Sequence, residues 1–160
     1  MIRRVKISDA QSIVDIYNYY VLNTAITFDI DKTTLEAFQE KISSVIAEYP
    51  FVVYEENNEI LGYAYGSKFR PKPAYNNTVE STIYVKHGEH GKQIGTKLYE
   101  KLLSLLKNDN YHIVLGVLTL PNDASVKLHE KFGYKQVAHL KEAGLKFGAW
   151  QDVGFWQLTF

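Results

Sequence analysis

The chain has 160 residues, 46% of them apolar and 14% aromatic, which fits one domain with a real core. With 18 Lys+Arg against 18 Asp+Glu it lacks the basic surplus that a broad nucleic-acid or anionic-membrane face demands, so neither partner is expected and any anionic partner must be small and locally bound. No cysteine is present, which excludes a disulfide framework, a thiolate zinc site and a catalytic thiol, and no metal is expected.

Met1 to Ala10 carries Arg3 and Arg4 without a following apolar h-region, and no stretch approaches membrane-spanning length, so a soluble, unprocessed, cytoplasmic protein is expected. Ile2 to Lys6 reads as a short strand. Ser8 with Gln11 has capping-box spacing and opens a helix to about Leu22, buried along Ile13, Ile16, Tyr17, Tyr20 and Val21. After a polar-aromatic loop around Phe28, Thr33 with Glu36 repeats that spacing before a second amphipathic helix through Leu35, Phe38, Ile42, Val45 and Ile46. Phe51 to Glu55 and Ile60 to Lys68 form a hairpin through Asn57-Asn58, side chains that tolerate left-handed backbone.

Thr78 to Lys86 alternates Val79, Ser81, Ile83 and Val85 against Glu80, Thr82 and Tyr84, a strand with two different faces, one of which carries Glu80. A polar, glycine-bearing loop from Gly88 to Gly95 leads into a long helix through Leu98, Leu102 and Leu105. His112 to Thr119 is an apolar strand. Asn122 or Asp123 caps a helix to about Phe132 that Gly133 ends, and strands Tyr134 to Glu142 and Gln151 to Phe160 flank a Gly144 to Ala149 connection. No linker, repeat or low-complexity tract interrupts residues 1–160, and the element order indicates one domain with a mixed α/β sheet covered on both faces.

The run from His87 to Thr96 sits where a strand passes through a loop into a helix. Glycines there let backbone N–H groups approach a pyrophosphate, the helix dipole favours its charge, and Lys92, Lys86 and Lys97 could add cationic contacts. An ordinary loop whose glycines serve only the turn explains this run equally well. Neither a Gly-x-x-x-x-Gly-Lys-Ser/Thr loop nor a Gly-x-Gly-x-x-Gly fingerprint is present.

This junction resembles the phosphate loop of the GNAT superfamily of N-acetyltransferases, Gln/Arg-x-x-Gly-x-Gly/Ala. More narrowly, the chain is similar to the phosphinothricin N-acetyltransferase family, through Ile16-Tyr17-Asn18, Gly62-Tyr63-Ala64, Phe69-Arg70-Pro71 with Ala74-Tyr75, and Thr78-Val79-Glu80-Ser81 with Tyr84-Val85. Asn122-Asp123-Ala124-Ser125 with Leu128-His129-Glu130, then Gly133-Tyr134, and Lys146-Phe147-Gly148-Ala149-Trp150-Gln151-Asp152, continue the match in order over nearly the whole chain. His90 stands where the superfamily prefers Gln or Arg, Gln93 where it prefers Gly, and Ala149 where the family commonly has Arg. A side chain at Gln93 crowds the phosphates unless it points outward.

The resemblance implies a GNAT-like acyl-CoA N-acyltransferase fold, a mostly antiparallel central sheet of about seven strands with helices on both faces. It implies acetyl transfer from acetyl-CoA to the α-amine of a small amino-acid-like acid of the phosphinothricin or methionine sulfoximine/sulfone type, by a homodimer. An ammonium must lose a proton before it attacks a thioester, and Glu80 is the matched carboxylate. A backbone N–H near Tyr84 or Val85 can stabilise the oxyanion. The resemblance lays the pantetheine arm along Ile83, Tyr84 and Val85, the pyrophosphate over Gly91, Lys92, Gln93, Ile94, Gly95 and Thr96, and Asn122 beside the arm. His129 stands where many superfamily members have a Tyr that protonates the departing thiolate. The acceptor's anionic groups meet Arg70, Pro71 and Lys72 and the strand at Glu80, Ser81 and Thr82, in keeping with bidentate recognition by Arg. The alternatives are another amine acceptor, such as a polyamine, aminoglycoside or peptide N-terminus, and a non-catalytic acyl-CoA-binding module.

Overall fold

The computed structural model describes all 160 residues. Its strands are β1 (Ile2–Arg4), β2 (Phe51–Glu56), β3 (Glu59–Lys68), β4 (Thr78–Val85), β5 (Ile113–Leu120), β6 (Lys135–Lys146) and β7 (Ala149–Thr159), and its helices are α1 (Ala10–Asn23), α2 (Leu35–Glu48), α3 (Ile94–Asn108) and α4 (Asp123–Lys131). The strands form one sheet in the order β1-β2-β3-β4-β5-β7-β6. Every neighbouring pair is antiparallel except β4 and β5.

Alternation along the strands sends side chains into two cores. On one face α1 and α2 bury Ile13, Val21, Phe38 and Ile42 against Phe51, Val53 and Tyr63. On the other α3 buries Leu98, Leu102 and Leu106 against Val52, Ala64, Val79 and Val114. Those three leucines are fully buried, each stabilising the fold by about 1.5–3 kcal/mol. β4 divides its alternate residues between the faces: Ile83 and Val85 pack on the α3 side and Tyr84 on the α1 side. Between β2 and β3, Asn57 and Asn58 both adopt positive φ (51° and 63°), the twist-matched hairpin turn their side chains allow.

Both helix starts differ from the predicted caps. A 3-10 turn over Ile7–Asp9 precedes α1, and Asp9, not Ser8, organises it, taking the Lys6 N–H at 2.8 Å and the Arg3 guanidinium at 2.7 and 2.8 Å. Thr34, not Thr33, caps α2 through the Ala37 N–H, because the Thr33 backbone is already bonded at both N–H and C=O to Asn18. The connection between the last two strands is also shorter than expected. β6 and β7 run on to a tight turn at Phe147 and Gly148, both with positive φ. Asp152 ties this hairpin across its bulge, accepting from the Glu142 N–H and from His139 Nε2.

The feature that positions a site is a break in the sheet. β4 and β5 pair only from Thr78 to Ser81 against Ile113 to Gly116; beyond these, β4 stays with β3 and β5 with β7. A cleft opens between two strands that no longer share hydrogen bonds. The N-termini of α3 and α4 lie against it.

Candidate active site

Two connected cavities occupy the cleft. One, of about 410 Å³, is walled by Ile83, Tyr84 and Val85, by Gly91, Gln93, Ile94, Gly95 and Thr96, and by Asn122 and Ser125. The other, of about 290 Å³, is walled by Glu80, Ser81 and Thr82, by Thr27 and Phe28, and by Tyr99 and His129. Ile26, Ile83, Tyr84, Asn122 and Ser125 belong to both, so the cavities meet at the open edge of β4.

The backbone along that edge follows from register. Lys86 N–H donates to the Leu61 carbonyl, and in an antiparallel ladder alternate residues turn to the same neighbour. Tyr84 N–H therefore belongs to the β3 ladder, whereas Ile83 and Val85 turn theirs into the cleft. Of the two residues expected to offer an oxyanion donor, Val85 is the one whose N–H faces the cleft. Tyr20 of α1 donates to the Val85 carbonyl at 2.6 Å and lies 2.9 Å from His90 Nε2, so one phenol joins the strand edge to the glycine-bearing loop. Burial pushes the Tyr20 phenol up to about 12, and it stays a neutral donor.

Gly88 and Gly91 adopt φ of +86° and +84° with open space where a Cβ would be, so the loop backbone is uncovered. Gln93 takes φ of 61°, the conformation for which glycine is preferred, and its side chain is exposed. The first N–H groups of α3 after it lack helical acceptors and point toward the cavity end of the helix, which suits an anion. Lys92 is exposed and bonded to Glu89 at 2.6 Å, and it does not wall the cavity. Gly95 lets Leu128 of α4 come within 3.2 Å of where its Cβ would stand, closing the far wall. Asn122 both caps α4, accepting from the Ser125 N–H at 3.2 Å, and walls both cavities.

Glu80 is half-buried where β4 is still paired with β5, one residue before the strands part, and burial alone raises its carboxyl above the usual range, with no paired cation to oppose it. Across the cleft, His129 is 3% exposed. Its Nδ1 lies 2.7 Å from the Ser125 carbonyl, which can only accept, so Nδ1 carries the proton and Nε2 accepts from the Tyr99 hydroxyl at 2.8 Å. Burial lowers its pKa against a smaller opposing effect of the Ser125 carbonyl. The expected thiolate donor is thus a neutral imidazole whose single N–H is already engaged; its Nε2 can take a proton but has none to give. Ser81 is the hub behind it, 3.2 Å from the Tyr99 hydroxyl and 3.1 Å from that of Tyr134, and donating to the Leu115 carbonyl. Tyr99, Tyr134 and Gly116 were not foreseen as site residues. A Cβ on Gly116 would stand 2.4 Å from His129 Nε2, so only glycine there lets the imidazole lie against β5.

Arg70, Pro71 and Lys72 do not wall the second cavity, the one that holds Glu80. All three are exposed on the β3–β4 connection, and the Arg70 guanidinium stacks on Phe69, 5.1 Å from the ring centre. The strand register explains this. They lie beyond the end of β3 near Lys68, which pairs with Val79, whereas the cleft opens at the other end of β4. Phe28 walls this second cavity, and Trp150 and Tyr75 do not. No group of three or more His, Asp or Glu side chains is placed to hold a metal ion, and no helix is long and apolar enough to cross a membrane.

A family model described as an acetyltransferase (GNAT) domain matches residues 2–154. The chain belongs to the GNAT acetyltransferase family. It is 36% identical over 159 residues to a phosphinothricin N-acetyltransferase of Streptomyces viridochromogenes, covering 99% of this chain and 87% of that one. It is 32% identical to an L-methionine sulfoximine/L-methionine sulfone acetyltransferase of Salmonella typhimurium, covering 94% and 89%. Among solved structures, a GNAT superfamily phosphinothricin acetyltransferase from Sinorhizobium meliloti in complex with AcCoA superposes with a TM-score of 0.96 at 30% identity, covering 100% of this chain and 88% of that one. The expected mixed, mostly antiparallel seven-stranded sheet of a GNAT acetyltransferase is the observed one.

Proposed function

We propose that residues 1–160 form one N-acetyltransferase domain that moves the acetyl group of acetyl-CoA to the α-amine of a small amino-acid-like acid, of the phosphinothricin or methionine sulfoximine/sulfone type, with Glu80 as general base. The observation that carries this reading is a half-buried carboxylate without a cationic partner, facing a cavity that joins a backbone-lined anion cradle at the free edge of β4. The cradle fits a CoA thioester. The pantetheine would add along Ile83, Tyr84 and Val85 as an extra strand beside Asn122. The pyrophosphate would meet the N–H groups of Gly91, Gln93, Ile94, Gly95 and Thr96, with Lys92 at the rim.

The chemistry assigned to this chain's own groups is brief. Glu80, held above the ordinary carboxylate range by burial, takes the proton of the ammonium and frees the amine for attack. Val85 N–H donates to the thioester oxygen as it gains charge; collapse of the adduct keeps the new C–N bond, breaks the C–S bond and releases CoA as a thiolate, which takes up the remaining proton shed by the attacking nitrogen. Ser81 and Thr82 shape the acceptor's side of the cavity, and His129 stands opposite as a neutral acceptor behind Tyr99. The acceptor class is supported by the named activities of the relatives, since no cation of the chain walls the cavity. We place the enzyme in the cytoplasm as a homodimer, for which Leu145, Phe147 and Trp150, all more than half exposed on the β6–β7 hairpin, offer an apolar face.

A thiol-release screen with acetyl-CoA over amino acids and their phosphinate, sulfone and sulfoximine analogues tests the acceptor. Turnover of the small acids is expected. Turnover confined to polyamines, aminoglycosides or peptides would overturn the assignment, and acetyl-CoA binding without any thiol release would reduce the protein to a binding module.

A further inference from the structure

The end of β6 carries a buried cation that the proposed reaction does not use. Lys146 is 3% exposed, and its ammonium donates to the Thr27 carbonyl at 2.8 Å, linking β6 to the α1–α2 connection 119 residues earlier. Two residues before it, Gly144 leaves room for Phe28; a Cβ there would lie 2.3 Å from the Phe28 ring. From the opposite side Tyr17 of α1 holds the same segment, with its hydroxyl 2.9 Å from Thr27 Oγ1 and donating to the Asp29 carboxylate. Ile26, Thr27 and Phe28 of this segment wall the acceptor cavity together with Glu80.

Burying an ammonium is costly and a methylene chain alone would fill the same space, so Lys146 needs a reason beyond packing. Burial pushes its pKa down while Asp29 opposes this, and the charge-assisted bond fixes a backbone carbonyl at one point. A connection of this length between two helices would otherwise be free to move. Here it is clasped on both sides.

We propose that Lys146 is a positioning residue for the acceptor site: with Gly144 it clasps Thr27 and Phe28 against the sheet, making Phe28 a fixed wall that sets the size of acceptor the enzyme admits. This rests on the acceptor cavity being the one proposed above. The clasp accounts for the Lys146 to Asp152 stretch, whose acid ties the hairpin while its lysine reaches the cavity wall.

The test compares wild type with Lys146→Met, which keeps the stem and removes the charge, Lys146→Arg, which keeps a donor, and Gly144→Ala, which displaces Phe28 without touching the lysine. Amide hydrogen exchange at Ile26 to Asp29 and steady-state kinetics on small and bulky amino-acid acceptors are measured. In Lys146→Met, exchange in this segment rises about tenfold, KM for the small acceptor rises by about as much, and KM for acetyl-CoA holds. The selectivity ratio moves toward bulky acceptors, and Lys146→Arg recovers part of it. Gly144→Ala shifts the ratio as well, and decides the matter if Lys146→Met does not fold. Unchanged exchange and unchanged selectivity in folded variants overturn the proposal. A wild type that acetylates no amino acid refutes the functional reading and the selectivity half with it, whereas unchanged exchange in Lys146→Met refutes the clasp alone.

Discussion

Replacing Glu80 by Gln isolates proton transfer from everything else this side chain does. The change keeps shape and leaves the β4 backbone paired with Ser67 on β3. It orphans no partner, because burial alone raises the Glu80 carboxyl and no cation offsets it. A carboxyl whose pKa is raised in the folded state costs stability at pH above that folded value, where both states are ionised, and the cost disappears as pH falls below the unfolded value. At neutral pH the Gln variant is therefore expected to melt at the wild-type temperature or higher. Its kcat should fall about 100- to 1,000-fold, the usual worth of a positioned general base. That loss equals about 2.7–4 kcal/mol of transition-state stabilisation. Wild-type kcat/KM should decline on the acid side with a midpoint above the ordinary carboxylate range, and this limb should vanish in the variant. Thiol release at saturating acetyl-CoA, calorimetry of acetyl-CoA binding and a thermal melt give the three readings. Turnover within about threefold of wild type, or an acid limb that survives the substitution, refutes Glu80 as the base.

Three further outcomes follow from contacts away from the carboxylate. Tyr20→Phe removes the phenol that joins the Val85 carbonyl to His90, and should weaken acetyl-CoA binding in calorimetry by about 1 kcal/mol with a smaller effect on acceptor KM. Gly116→Ala places a methyl 2.4 Å from His129 Nε2, and urea unfolding should report a loss of about 1–3 kcal/mol together with reduced turnover. Asp9→Asn breaks a bidentate pair with Arg3 in which Asp9 is 8% exposed, and should cost about 3 kcal/mol in the same assay. Burial works against the charged form of Asp9, but Arg3 and the Lys6 N–H hold its carboxyl below the ordinary range. Its contribution is thus present above the unfolded pKa and lost as pH falls through the folded one, so wild type should lose more stability than Asp9→Asn below about pH 4.

Most of the fold was legible because each element carries its own period. The leucine spacing of α3, the alternation along β4, and the Asn57-Asn58 turn are local statements, and the seven strands and four helices follow one another in the expected order, with β6 running past Glu142 to Lys146 and β7 starting at Ala149. The caps were less legible. Ser8 and Thr33 have the right spacing, yet Asp9 is claimed by Arg3 and the Thr33 backbone by Asn18, partners brought in by the tertiary fold. The turn between β6 and β7 was hidden for a similar reason, since Phe147 carries positive φ that its residue type does not announce.

The site divides along the same line. Glycine placement before a long helix, a strand glutamate, and an asparagine ahead of a short helix were in the sequence, and it was the family resemblance that turned them into a proposed cradle, base and neighbour of the arm. Which groups meet across the cleft was not, because that depends on where β4 leaves β5. The parting after Ser81 and Gly116 turns Val85 N–H inward, seats His129 on a glycine with its only N–H engaged, and leaves Arg70 at the far end of the strand. Local residue type and period determined which backbone donors and acids this protein carries. Only the tertiary structure decided which of them share one desolvated space, because strand parting and side-chain burial are properties of elements packed together and not of any segment alone.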